Sequence, residues 1–134
     1  MAERFTPVNE LEELLLTHSN TPANLGVFLQ RLMVSKVVVL VRQESEGRTY
    51  PMRITGAHGT PVLALFTSAD RATVWAERYD EYRTAAVVEA RWALLQIETG
   101  CGVAINPGHP VGFEVSAEGL PKLLRDFGVV KEER

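Results

Sequence analysis

Residues 61–68, with the sequence PVLALFTS, decide how we interpret the rest of this chain. Apolar residues fill positions 62–66 without alternation, so both faces of the strand that they form are expected to be covered. Thr67 and Ser68 end the strand. Ser68 is predicted to cap the next helix, because its hydroxyl can accept a hydrogen bond from a free backbone N–H. The stretch therefore predicts an inner strand of a sheet that is packed by helices.

The segments before this strand predict two helices and two more strands. Asn9 and Thr21 are the expected N-caps of the two helices. Residues 36–41, KVVVLV, form a second inner strand. Residues 49–55 alternate in polarity, and Pro51 places that strand partly at an edge because proline cannot donate to a ladder. With the strand at 62–66, these strands form an antiparallel meander.

The segments after Ser68 complete a mixed fold. In chain order they are a surface helix, a helix at 87–97, strands at 103–105 and 111–115, and a helix at 118–127. Val87 and Val88 also suit a short strand, so helix and strand both remain open for residues 87–90. The order ααβββααββα describes an α/β fold of the α+β kind. Its sheet is mixed and largely antiparallel, has about five strands, and is flanked by helices.

Length and composition indicate a small protein with an ordinary core. The chain has 134 residues, and we expect residues 1–134 to form a single domain. A formal net charge of −3 argues against a nucleic-acid partner, which normally demands a basic face. The apolar runs are shorter than the ~20 residues that cross a bilayer, and the acidic N-terminus is unlike a secretion signal. We therefore expect no membrane partner and a cytoplasmic location.

The candidate site is a crevice at the end of the central strand. Thr67 and Ser68 would present free backbone N–H groups at a helix N-terminus, and Arg71 would add a guanidinium. Such donors suit a carboxylate or a phosphate. Asn106 and Gly108 lie in a turn that we expect to line the same crevice. The alternative is an ordinary helix cap, a solvated arginine and a turn that only reverses the chain.

Arg71 and Asn106 are expected to be exposed, so replacing both with alanine should abolish binding without changing the melting temperature.

His58, Cys101 and His109 have none of the usual metal or catalytic spacings. We therefore predict no catalytic residue, no metal and no cofactor.

The two tryptophans, Trp75 and Trp92, are predicted to anchor the core. Exposure of either side chain at an interface is the alternative, because tryptophan is enriched at protein interfaces.

Four short motifs of the chain are each unspecific alone, but their order and spacing together are specific for one family. They are FTPVNELE at 5–12, VVVL at 37–40, FTS at 66–68 and GVAINPG at 102–108. On these motifs the chain resembles the SseB protein N-terminal domain family, as a single-domain member. The resemblance implies a bacterial protein linked to enhanced serine sensitivity, with no established catalytic activity or cofactor.

Three classes of function follow, in order of preference. The first is a non-catalytic protein-interaction or regulatory module with an unknown protein partner. The second is a domain that binds a small anionic ligand in the crevice, and the third is an enzyme. A homodimer is a further alternative. If the crevice fails as a site, the face formed by the first two helices becomes the better candidate for a partner.

Overall fold

The structure is a computed structural model that describes residues 6–18, 22–43, 47, 49–57, 59–109 and 111–127. The helices in these ranges are α1 (Glu10–His18), α2 (Pro22–Met33), α3 (Ala69–Arg78), α4 (Ala90–Leu95) and α5 (Leu120–Asp126). The strands are β1 (Lys36–Gln43), β2 (Thr49–Pro51), β3 (Arg53–Thr55), β4 (Pro61–Leu65), β5 (Thr84–Glu89), β6 (Gly102–Ile105) and β7 (Phe113–Val115). A short 3₁₀ turn (Asp80–Tyr82) separates α3 from β5.

The strands form two sheets that are joined by backbone hydrogen bonds. In one sheet β1 lies between β2 and β5 and is antiparallel to both. In the other, β4 lies between β3 and β6, and the order β3-β4-β6-β7 contains one parallel pair, β4 with β6. Val38 and Phe66 exchange two N–H···O bonds of 2.8 and 2.9 Å, which join β1 to the end of β4. Both predicted inner strands have a neighbour on each side, but they lie in two sheets and not in the single sheet that the sequence predicts.

Met52 is the residue at which the chain passes from one sheet to the other. Its N–H donates to the carbonyl of Leu40 at 2.8 Å, and its carbonyl accepts from the N–H of Ala64 at 3.1 Å. The single strand predicted at 49–55 is therefore two short strands, one on either side of Met52. Pro51 ends β2, which is a terminal strand of its sheet, as predicted.

Alternate residues of the inner strands face two different cores. Val37 and Val39 of β1 belong to the larger core, which includes buried side chains of α1, α2, α4 and α5. Val38 and Leu40 point the other way and pack with Ala72 of α3. The apolar runs do not alternate because each face of the sheet carries its own helix layer.

The helix predicted at 87–97 is wrong in its first part, and the strand alternative is correct there. Val87 and Val88 belong to β5 and lie opposite Val38 and Val37 of β1. Pairing along β1 outweighs the helical spacing of the apolar residues, since β-branched side chains suit a pleated surface. The helix α4 begins only at Ala90. Together with the division of residues 49–55 into β2 and β3, β5 gives the described part of the chain seven strands, where the sequence predicts about five.

The sequence also predicts where the first two helices begin. Asn9 caps α1 as predicted, because its Oδ1 accepts a hydrogen bond from the N–H of Glu12 at 2.8 Å. Thr21 and His58 lie outside the described residues. None of the helices in the described ranges has the length and apolar character that crossing a bilayer requires.

Replacing Leu65 with alanine is expected to lower the free energy of unfolding by about 2 to 5 kcal/mol, because the Leu65 side chain is fully buried in the larger core. Urea unfolding of the full chain measures the loss. The control is Val34→Ala, since Val34 is 79% exposed and its replacement should cost under about 0.5 kcal/mol. A loss of that smaller size for Leu65→Ala would contradict the central position of β4.

Candidate functional site

The predicted crevice holds a carboxylate from the chain itself, that of Glu12 in α1. The hydroxyl of Thr67 donates to Glu12 Oε2 at 2.6 Å. Arg71 donates from Nη2 to Oε1 at 2.8 Å and from Nε to both carboxylate oxygens at 3.2 Å. The Glu12 side chain is fully buried. The position where an external anion was predicted is therefore taken by an internal one.

The local sequence explains how α1 delivers this carboxylate. While Asn9 accepts from the N–H of Glu12, the carboxylate of Glu12 accepts from the N–H of Val8 at 3.1 Å. This reciprocal arrangement is close to a capping box, in which the third helical residue returns a bond to the chain before the helix. Asn9 Nδ2 also donates to the carbonyl of Thr67 at 2.9 Å. The helix start is thus bonded directly to the end of β4.

Asn106 extends the same network from the other side. Its Oδ1 accepts from the N–H of Thr67 at 3.0 Å, and its Nδ2 donates to Thr67 Oγ1 at 2.8 Å. The residue has a φ of 53°, a left-handed conformation that asparagine tolerates better than most side chains. Asn106, Thr67, Glu12 and Arg71 therefore form one continuous chain of hydrogen bonds.

The expected exposure of Arg71 and Asn106 is wrong. Asn106 is only 1% exposed, and the Arg71 side chain is mostly buried in its ion pair with Glu12. Their polar groups bond to other parts of the chain, which is what allows them to be buried. Replacing both with alanine should consequently destabilise the protein rather than leave its melting temperature unchanged.

Ser68 and Gly108 lie beside this network. Ser68 occupies the N-cap position of α3, but its side chain makes no cap hydrogen bond, so the predicted cap bond is wrong. Gly108 has a φ of +80°, and a Cβ atom there would lie 3.2 Å from the ring of Trp75. The indole N–H of Trp75 donates to the carbonyl of Pro107 at 2.7 Å. The turn therefore has a packing role against α3.

The protonation of Glu12 reflects two opposing effects. Burial raises the pKa of this carboxyl, whereas the hydrogen bonds from Arg71, Thr67 and the Val8 backbone lower it, and the net pKa lies below the usual value. Glu12 is therefore ionised at neutral pH and forms a buried ion pair with Arg71. Binding of an external anion by Thr67, Ser68, Arg71, Asn106 and Gly108 stays a prediction, and it requires Glu12 to leave.

A second candidate site is an apolar depression that we call the Trp92 groove. It has a volume of about 460 Å³ and lies beside α4, over β1, β2 and β5 of one sheet and β3 and β4 of the other. The apolar strand residues that line the groove are Val39, Val41, Leu63 and Val88. On the α4 side it is lined by Trp92 and Ala93, and its polar groups come from Arg53, Gln96 and Glu98. Arg53 and Glu98 form an exposed ion pair at 3.5 Å.

Trp92 is 53% exposed, so its prediction as a core anchor is wrong. The sequence interpretation placed Val88 and Trp92 in a single helix at 87–97. The actual helix starts at Ala90 and buries Ala90, Ala93 and Leu94, which leaves Trp92 on another side. Trp75 is partly buried against the smaller core, in keeping with its predicted role.

The remaining reactive side chains are held in structural positions. Cys101 is buried, and burial raises the pKa of its thiol, which disfavours the nucleophilic thiolate. His109 Nε2 donates to the carbonyl of Arg71 at 2.7 Å, a contact that ties the turn to α3. Within the described ranges, no group of three or more His, Cys, Asp or Glu side chains is placed to hold a metal ion.

The comparisons with known proteins identify a family. The family model for the SseB protein N-terminal domain matches residues 11–121 of the chain. Neither a curated protein nor a solved structure gave a significant match.

Replacing Glu12 with glutamine is expected to lower the free energy of unfolding at pH 7 by about 3 kcal/mol or more, because Arg71 then keeps a largely buried charge without its carboxylate. In the wild type, the lowered pKa means that this stabilisation is complete above the ordinary glutamate pKa of about 4.3. It is lost as the pH falls through the folded-state value. Urea unfolding between neutral and acidic pH should therefore show that the free energy of unfolding falls less steeply with acidification for Glu12→Gln than for the wild type.

The matched control is Glu10→Gln, which removes a carboxylate from the same helix. Glu10 is exposed and pairs with Arg31 at the surface at 2.8 Å, so its replacement should change stability by less than about 1 kcal/mol. Equal stability and equal acid dependence for the wild type and Glu12→Gln would show that the buried pair does not support the fold.

Proposed function

The chain belongs to the SseB protein N-terminal domain family, and we propose that it works as a non-catalytic protein-interaction module whose contact surface is the Trp92 groove. The observation that carries this proposal is the half-exposed indole of Trp92 beside a groove of about 460 Å³. Tryptophan is the side chain most enriched among residues that dominate binding energy at protein interfaces. Its exposure here supports contact with a partner.

The composition of the groove supports a protein partner that inserts an apolar side chain. Val39, Val41 and Val88 give its base an apolar character, whereas Arg53 and Glu98 supply opposite charges beside it. An apolar centre with a polar rim is the usual anatomy of a protein interface. The proposed occupant is therefore a short segment of another protein with an apolar anchor flanked by polar or charged residues.

The two other candidate surfaces receive less support. In the crevice, the donors of Thr67 and Arg71 already bind Glu12, so an incoming anion would have to displace a buried ion pair. On the first two helices, Leu16 and Val27 are about half exposed, as isolated apolar side chains often are. The Trp92 groove differs from both because it combines a concave shape with a large exposed aromatic side chain.

Replacing Trp92 with alanine should weaken partner binding while leaving the fold intact, since about half of the side chain contacts solvent in the free protein. The tagged wild type and the tagged variant are each used to capture proteins from the native host. Every protein that the wild type captures and the variant does not is then purified. Its affinity for both chains is then measured by titration. The affinity of the variant is expected to be about thirtyfold lower than that of the wild type, which corresponds to a hot-spot contribution of about 2 kcal/mol.

The matched control is Val74→Ala, because Val74 is similarly exposed on α3, a helix that packs on the other face of the sheet. It should bind the purified partner as the wild type does. Equal affinity of the wild type and Trp92→Ala for every captured protein would contradict the proposed surface. Retention of only a small apolar molecule by the wild type would favour a ligand-binding domain instead.

A further inference from the structure

The outer side of β5 is an unpaired sheet edge within the described part of the chain. β5 pairs with β1 on one side, and in the described sheets it has no strand on the other. It has six residues, whereas the terminal strands β2, β3 and β7 have three each. Its sequence, TAAVVE, contains none of the lysines or prolines that usually protect an edge strand. Val87 is 67% exposed there.

The hydrogen bonds of β1 establish which backbone groups of β5 point outward. Val38 exchanges its two bonds with Phe66 on the other side of β1, although it lies directly opposite Val87. In an antiparallel pair, bonded and non-bonded positions alternate, so the N–H and carbonyl of Val87 point away from β1. The same alternation directs the backbone groups of Ala85 and Glu89 to the free edge.

We propose that this edge pairs with β5 of a second copy of the chain, antiparallel and about a two-fold axis at Ala86. In this register Ala85 of each copy lies opposite Val87 of the other. These are the positions whose backbone groups point outward, so the two strands can exchange N–H···O bonds. Because the axis is two-fold, each contact occurs twice.

Charge and shape both favour a second copy as the occupant. The register brings Arg83, which directly precedes β5, beside Glu89 of the other copy. Both side chains are exposed in the single chain, where Arg83 forms a surface ion pair with Asp80 at 3.5 Å. Opposite charges that face each other across antiparallel strands are stabilising. A cavity of about 410 Å³ also lies next to Ala85, lined by Leu40, Ala72 and Ala76. Val87 of the second copy is positioned to enter this cavity.

Sedimentation equilibrium of the full chain over a wide concentration range tests the proposal. The wild type should form a reversible dimer, and Val87→Pro should be monomeric at concentrations where the wild type is dimeric. This substitution removes an N–H that faces the free edge and leaves the ladder with β1 intact. Circular dichroism and the thermal transition check its folding, and Val87→Lys serves as the second variant.

A charge-exchange experiment tests the register. Arg83→Glu and Glu89→Arg should each weaken the dimer, because like charges then face each other twice. A mixture of the two variants should recover association, since every contact in the mixed dimer pairs opposite charges. A wild type that stays monomeric, or a dimer that Val87→Pro and Val87→Lys leave unchanged, would overturn the proposal. If Arg83→Glu and Glu89→Arg each form dimers as stable as the wild-type dimer, the register centred at Ala86 is wrong.

Discussion

The buried ion pair between Glu12 and Arg71 is the interaction on which the arrangement of the other elements depends. It joins α1 to the first turn of α3, and the hydroxyl of Thr67 joins both to the end of β4. A carboxylate without water around it is costly, so its donors must be in place whenever the protein is folded. The network therefore selects one orientation of α1 on the sheet among the many that its apolar face alone would allow.

The positions of the helices then determine which parts of the sheets are covered and which remain exposed. Because α1, α2, α4 and α5 pack on one face and α3 on the other, the inner strands are covered on both sides. The Trp92 groove lies beside the short helix α4, on the face that this helix shares with α1, α2 and α5. The Trp92 groove and the free edge of β5 adjoin each other, because Ala86 and Val88 of β5 line the groove.

The sequence predicts the elements better than their contacts. The runs at 36–41 and 61–68 identify the inner strands because both faces must be apolar, and Asn9 identifies the start of α1. The sequence pattern also suggests that Asn9 and Glu12 cap each other. It contains nothing to show that the same carboxylate meets Thr67, 55 residues further along, because such a contact depends on the packing of α1.

The errors at Trp92 and in the candidate crevice have physical causes of the same kind. The exposure of Trp92 follows from the start of α4 at Ala90, which is decided by the pairing of β5 with β1. The donors of Thr67, Arg71 and Asn106 lie together in the structure. Their binding partner was missed because an internal carboxylate satisfies the same chemistry as an external ligand.

The long separations along the chain within the Glu12 network have a consequence for the order of assembly. Glu12 lies near the start of the chain, whereas its donors Thr67 and Arg71 come 55 and 59 residues later, and Asn106 is 39 residues beyond Thr67. During synthesis, α1 emerges long before these donors exist, so its carboxylate remains hydrated until they follow. Closure of such long loops slows folding. The Glu12 carboxylate can therefore reach its buried, hydrogen-bonded position only after the segment with Thr67 and Arg71 has been made.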